Sequence, residues 1–146
     1  MIVLAFILSA ALLLVTAAHV YWGIGGIWPG TDKASCARAV VGFRGVDAMP
    51  SPFACFCVAA CLGLATLWPL ALEGLFATPF DRPGLAAAAV LIGLVFLGRG
   101  ILGFTPWWRR LAPEQPFAWL DRRYYSPLCL LVGAGFIVLA LSEFFP

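Results

Sequence analysis

The sequence predicts an all-α fold, an integral membrane four-helix bundle, and three observations predict it. First, 63% of the 146 residues are hydrophobic, only 11% are charged, and the mean hydropathy is +0.99. An ordinary soluble domain is about 45–50% apolar and about 25% charged, and a chain this short leaves too much surface exposed to hide the excess. Second, four apolar runs are each long enough to cross a hydrocarbon core, which takes about 20 residues. Third, prolines and aromatics gather where those runs end, as interfacial anchors do. The same composition excludes a disordered chain. A net charge of +2 with no basic block gives no reason to expect nucleic-acid binding. The expectation is one four-span domain over residues 1–146.

Span 1 is expected at about Ile2–Ile24, because Met1 to Thr31 carries no charge. No Lys or Arg precedes this run, and it is too long for a signal-peptide core, so it reads as a retained span. Trp28-Pro29-Gly30 stops it. Span 2 is expected at about Phe53–Leu75, opened by Ser51-Pro52: a capping hydroxyl, then a proline whose missing N–H costs nothing at the first helical position. Span 3 is expected at about Gly84–Phe104, opened by Asp81-Arg82-Pro83 and stopped by Thr105-Pro106. Span 4 is expected at about Pro127–Phe145, with Ser126-Pro127 read as a second cap.

The loops differ in length and charge. Loop 1, about Gly25–Ser51, is long for a helical hairpin; Ala37, Val40, Val41 and Arg44 fall at helical spacing and predict a short interfacial helix. Loop 3, about Thr105–Ser126, interleaves aromatics with arginines, and its prolines predict two short pieces lying on the membrane surface. Loop 2 is a tight turn around Thr78–Pro83. Loops 1 and 3 carry Lys33, Arg38, Arg44, Arg109, Arg110, Arg122 and Arg123, whereas the opposite side has Arg82 alone. The positive-inside rule then places loops 1 and 3 in the cytoplasm and both termini outside. Ser-Pro followed closely by Cys55 and by Cys129 hints at duplicated hairpins, although two common dipeptides arise readily by chance.

The candidate site follows from charge scarcity. Arg99 is the one charged residue placed inside a span away from its ends, and His19 is the only histidine. A charge at a helix centre costs about 2.5–3.5 kcal/mol on insertion scales, so such residues face a bundle interior or a wet cavity. Spans 1 and 3 run in the same direction, which brings His19 and Arg99 to similar depth. Trp22, Gly23 and Gly26 share the helical face of His19. The predicted pocket joins His19, Tyr21, Trp22 and Arg99, covered by Asp121, Tyr124 and Tyr125 from loop 3. The plainer reading is that Arg99 snorkels to phosphates and His19 bonds a neighbouring helix.

Other chemistry is poorly supported. The five cysteines, Cys36, Cys55, Cys57, Cys61 and Cys129, contain no C-x-x-C pair, so a thiol oxidoreductase is disfavoured and small buried thiols are expected. In an inverted topology, Cys36–Cys129 or Cys36–Cys55 would be reasonable disulfides. One histidine among scattered cysteines does not make a zinc site, and a second haem ligand is not evident, so no metal is predicted and any cofactor is unknown. Glu73 and Glu143 read as solvated helix ends rather than a proton path. The pairs Ala59/Gly63 and Ala89/Gly93, with Gly133/Ile137, offer close helix contacts that either pack this bundle or dock it on another membrane protein or a second copy.

The run His19-Val20-Tyr21-Trp22-Gly23-Ile24-Gly25-Gly26, followed by Trp28-Pro29, and the late run Tyr124-Tyr125-Ser126-Pro127-Leu128-Cys129, preceded by Phe117-Ala118 and Asp121, resemble a bacterial domain-of-unknown-function family of small four-span membrane proteins, of the DUF3995 kind. The resemblance covers nearly the whole chain. It implies four spans and a bacterial membrane, supplies no activity, and adds weight to His19, Tyr21, Trp22 and the segment from Tyr125 to Cys129. Three functions are therefore expected in this order: a non-enzymatic accessory or ligand-binding membrane component, a small enzyme acting on a lipid-like substrate, or a structural subunit of a larger complex.

Overall fold

The computed structural model describes residues 1–143 and is all-helical, with no strand among the described residues. Four helices are long and apolar enough to cross a membrane: α1 (Ile2–Gly23), α3 (Pro52–Leu72), α4 (Arg82–Leu102) and α7 (Ser126–Ser142). Between them lie α2 (Lys33–Val40), α5 (Pro106–Leu111), α6 (Phe117–Leu120) and a π-helical turn over Asp121–Tyr125. The expected end of span 4 at Phe145 lies outside the described residues.

The long helices pack as two antiparallel hairpins, α1 against α3 and α4 against α7. In the first, Ser9 on α1 donates to the Thr66 carbonyl on α3 at 2.7 Å, and Gly23 meets the Phe56 ring. Hydroxyl-to-carbonyl bonds of this kind join helices where lipid supplies no hydrophobic drive. In the second, a seam of glycines lets the backbones approach. A Cβ on Gly93 would lie 3.0 Å from the Gly133 carbonyl oxygen, and a Cβ on Gly133 would lie 2.8 Å from that of Gly93. Gly100 likewise faces Leu130. By contrast, Gly63 of the expected Ala59/Gly63 pair meets only ordinary contact with Thr16, at 3.8 Å.

The hairpins join across a core of Leu8, Leu12, Leu72, Leu85, Val132, Phe136 and Leu139 with small alanines between them. Phe96 and Phe136 stack in parallel, 6.4 Å apart. Trp68 on α3 donates its indole N–H to the Leu85 carbonyl on α4 at 3.0 Å. The outward faces are apolar too: Leu14, Leu64, Leu91 and Leu131, one from each long helix, are exposed. An apolar girdle around all four helices is what a hydrocarbon solvent requires and what water penalises.

Helix ends follow the sequence at three of the four spans. Ser51 caps α3 through the Ala54 amide at 3.2 Å, and Asp81 caps α4 through the Gly84 amide at 2.9 Å. On the short-turn side, Arg82 reaches the Leu72 carbonyl and pairs with Glu143 at 3.0 Å. Glu143 is thus held by an ion pair, not simply solvated.

The fourth span corrects the expectation. Ser126 is no cap: it lies buried inside a helix that runs without a break from α6 through the π-turn into α7. Proline in a helix interior lacks an N–H and its ring clashes with the carbonyl four residues back. The Ser126 amide here bonds the Asp121 carbonyl five residues back, and this wider turn precedes Pro127 and accommodates it. The span therefore extends from Phe117 to Ser142, and the hinted likeness to Ser51-Pro52 does not extend to local structure.

The loop-1 helix also differs from its expected extent. α2 opens on a capping box, in which the Asp32 carboxylate accepts from the Ser35 amide at 2.7 Å and the Ser35 hydroxyl pairs with the Asp32 amide. It stops at Val40 because Gly42 turns back with φ +70° against the Phe117 ring, where a side chain would suit neither the dihedral nor the space. Arg44 lies beyond it. Loop 3 forms the two short pieces expected, α5 and α6, with Trp107 and Trp119 exposed, but they do not lie apart on the surface. It packs on loop 1 as a single cap: the Arg44 amide bonds the Leu111 carbonyl at 3.2 Å, the Glu114 amide bonds the Gly42 carbonyl at 3.1 Å, and the Glu114 carboxylate accepts from the Gly45 amide at 2.9 Å. Cys36 is buried in this cap, which pushes its thiol pKa up, partly offset by the Gly30 amide.

Candidate functional site

Arg99 sits in the last turn of α4, nearer the helix end than expected because α4 stops at Leu102, and beside the π-turn. The wide turn brings Asp121 and Ser126 together, facing α4. Arg99 Nη2 meets Asp121 Oδ1 at 2.7 Å, and Arg99 Nη1 lies 3.4 Å from Ser126 Oγ. The Ser126 hydroxyl also donates to Asp121 Oδ1, at 3.1 Å, while the Trp108 indole N–H donates to Oδ2 at 3.0 Å. The guanidinium carbon lies 4.8 Å over the Trp108 ring, a cation–π contact. Asp121 is fully buried, whereas the Arg99 side chain is 31% exposed. Gly103 makes this closeness possible, since a Cβ there would collide with Ser126 Oγ.

Of this cluster, Arg99 lines a cavity of about 630 Å³ between α1 and α7. The two helices touch at Leu8 and Gly135 and leave a wedge toward the loop-1/loop-3 end. Ala11, Leu14, Val15 and Ala18 of α1 face Leu128, Cys129 and Val132 of α7, with Phe96 at the back. Leu14 and Leu128 are 73% and 39% exposed, so the mouth lies on the apolar flank of the bundle. Trp28, Pro29, Val40 and Phe117 close the loop end.

The predicted residues divide into three groups. His19, Trp22, Arg99, Tyr124 and Tyr125 line this cavity. Asp121 does not reach it and stands behind Arg99 as its counter-charge. Tyr21 is on another face, its ring against Gly26 and its hydroxyl 3.5 Å from the Trp28 amide. His19 bonds its own helix and not a neighbour: Nδ1 lies 2.8 Å from the Val15 carbonyl, which can only accept, so Nδ1 carries the proton and Nε2 is left for the cavity. The ring meets Trp22 edge-on at 5.0 Å. Tyr125 lines the cavity with its ring, while its hydroxyl donates to the Ala39 carbonyl at 3.3 Å and ties α2 to the π-turn. The five cysteines are free thiols, and no group of three His, Cys, Asp or Glu side chains that could hold a metal occurs among the described residues.

Sequence reasoning missed Trp108 and Ser126 as partners of Arg99. Trp108 reads as an interfacial aromatic like Trp107, and Ser126 reads as a cap. One signal pointed the other way: a lone intramembrane cation demands a counter-charge, and Asp121 belongs to the same end of the molecule.

Trp108 supplies a bond that a second aromatic cannot. Trp108→Phe keeps a ring under the guanidinium and leaves one oxygen of a buried carboxylate unpaired. The expected cost is about 1–3 kcal/mol, read as a lower midpoint in denaturant unfolding of the micelle-solubilised protein. Trp107→Phe, at an exposed position, is expected to leave the midpoint unchanged.

No curated protein and no solved structure matches the chain. A family profile described as "Protein of unknown function (DUF3995)" matches residues 5–136, which spans α1 to the middle of α7 and includes the whole Arg99 cluster and cavity. The chain therefore belongs to this family of unknown function, here with four helices fit to span a membrane.

Proposed function

We propose that the protein is a multi-pass membrane component that binds a small amphipathic, lipid-like ligand between α1 and α7. The supporting observation is the cavity itself. Its volume of about 630 Å³ falls within the range of about 300–1,000 Å³ typical of small-molecule sites, and its wall is mostly apolar with a few convergent polar groups. The mouth on the lipid-facing flank suits a ligand arriving from the bilayer.

Binding is favoured over catalysis. An acid–base residue gains direction from a partner that answers its proton transfer. His19 is oriented by a backbone carbonyl, and the carboxylate of Asp121 is taken up by Arg99, Ser126 and Trp108. Direct association with other membrane proteins would use the outward apolar faces and leave the cavity free.

The proposed location is a bacterial cell membrane, with loops 1 and 3 cytoplasmic and both termini outside. The charge bias supports this orientation: loops 1 and 3 form one cap that carries nearly all the basic residues. A periplasm-dependent enzymatic reporter fused to the C-terminus is expected to be active. An inactive one, with an active cytoplasmic reporter at the same point, contradicts the orientation.

Native mass spectrometry of the solubilised protein tests the binding reading. The wild type is expected to carry a bound lipid-sized mass. Ala18→Phe fills the cavity and is expected to lose it, and His19→Ala to retain it weakly. A mass retained equally by all three forms would place the ligand elsewhere.

A further inference from the structure

The charge balance of the cavity selects the head group of its ligand. Arg99 is the sole Lys or Arg on the lining, and its charge is already met at 2.7 Å by the buried Asp121. Both Asp121 oxygens are themselves occupied, by Arg99 and Ser126 on one side and Trp108 on the other. The wall therefore presents a neutral ion pair. A phosphate or carboxylate drawn to Arg99 would bring a second negative charge beside Asp121, in surroundings that screen like-charge repulsion poorly.

Hydrogen-bonding capacity nonetheless remains. A guanidinium has five N–H groups, and Asp121 and Ser126 do not consume them all. His19 lines the cavity, and with Nδ1 committed to the Val15 carbonyl its Nε2 is the ring nitrogen left to accept. One wall thus donates and the other accepts. A hydroxyl can accept from a guanidinium and donate to an imidazole nitrogen, so it matches both kinds of group on the lining; a carbonyl matches the donor alone. The rest of the lining is apolar and elongated: from Ala11 to Trp22 it follows about 16 Å of helix. That length suits one extended tail.

We infer, resting on the binding reading above, that the ligand is a single-chain amphiphile with an uncharged oxygen head, held between His19 and Arg99 with its tail along α1 and α7. An anionic phospholipid is not the ligand, although the site contains an arginine.

Two probes of equal tail length separate the cases: hexadecanol and hexadecyl phosphate, each added at the same concentration to the delipidated full-length protein in neutral detergent at pH 8 and counted by native mass spectrometry. Wild type, Ala18→Phe and the milder Ala18→Leu are compared, with helicity checked by circular dichroism. The expected result is retention of hexadecanol about tenfold above hexadecyl phosphate, equivalent to about 1.4 kcal/mol, with the alcohol lost in the two filled variants. Equal or stronger retention of the phosphate, lost on filling, would overturn the neutral-head inference and leave the cavity reading standing. Retention of neither probe, or retention that filling does not change, would overturn the cavity reading itself.

Discussion

The ion pair between Arg99 and Asp121 is the constraint on which the upper half of the molecule depends. An uncompensated guanidinium inside an apolar bundle is expensive, and so is a buried carboxylate. Bringing them to 2.7 Å answers both costs at once, with Ser126 and Trp108 supplying the further bonds that make such a pair tolerable. Everything near the pair is shaped to allow that contact. Gly103 leaves room for Ser126, the glycine seam draws α7 onto α4, and the π-turn presents Asp121 and Ser126 together toward α4.

The cavity follows from the same arrangement. α7 packs closely on α4 and meets α1 at Leu8 and Gly135, and a wedge remains where α1 continues toward His19. The cap formed by loops 1 and 3 closes that wedge at one end, with Tyr125 linking the π-turn to α2 through the Ala39 carbonyl. A pocket with an apolar flank and a polar, charge-neutral end is therefore a consequence of how one cation was accommodated. Its chemistry inherits the neutrality of the pair.

Much of the fold was legible because the bilayer demands long uncharged helices, and their ends carry strong local chemistry at Ser51-Pro52 and Asp81. The fourth span shows where local reading fails. Ser126-Pro127 has the same sequence form as Ser51-Pro52, yet the chain before it continues as helix, and Asp121 and Ser126 are engaged with Arg99 and with each other instead. That choice is tertiary and leaves no periodic trace. The site was half legible for the same reason. His19 and Arg99 stand out by rarity, and helical spacing puts Trp22 near them. Tyr21 carries an equally conspicuous motif position but belongs to the turn at Gly26, and Trp108 is indistinguishable in sequence from its exposed neighbour Trp107.

A double-mutant cycle between Arg99 and Asp121 tests most directly whether this pair organises the structure. Arg99→Met, Asp121→Leu and the combined variant would be unfolded by denaturant in mixed micelles beside the wild type. Each single change leaves one charge without its partner and is expected to cost about 3–5 kcal/mol, whereas removing both is expected to recover most of that loss. Losses that simply add in the combined variant, with no coupling above about 0.5 kcal/mol, would contradict a structural role for the pair.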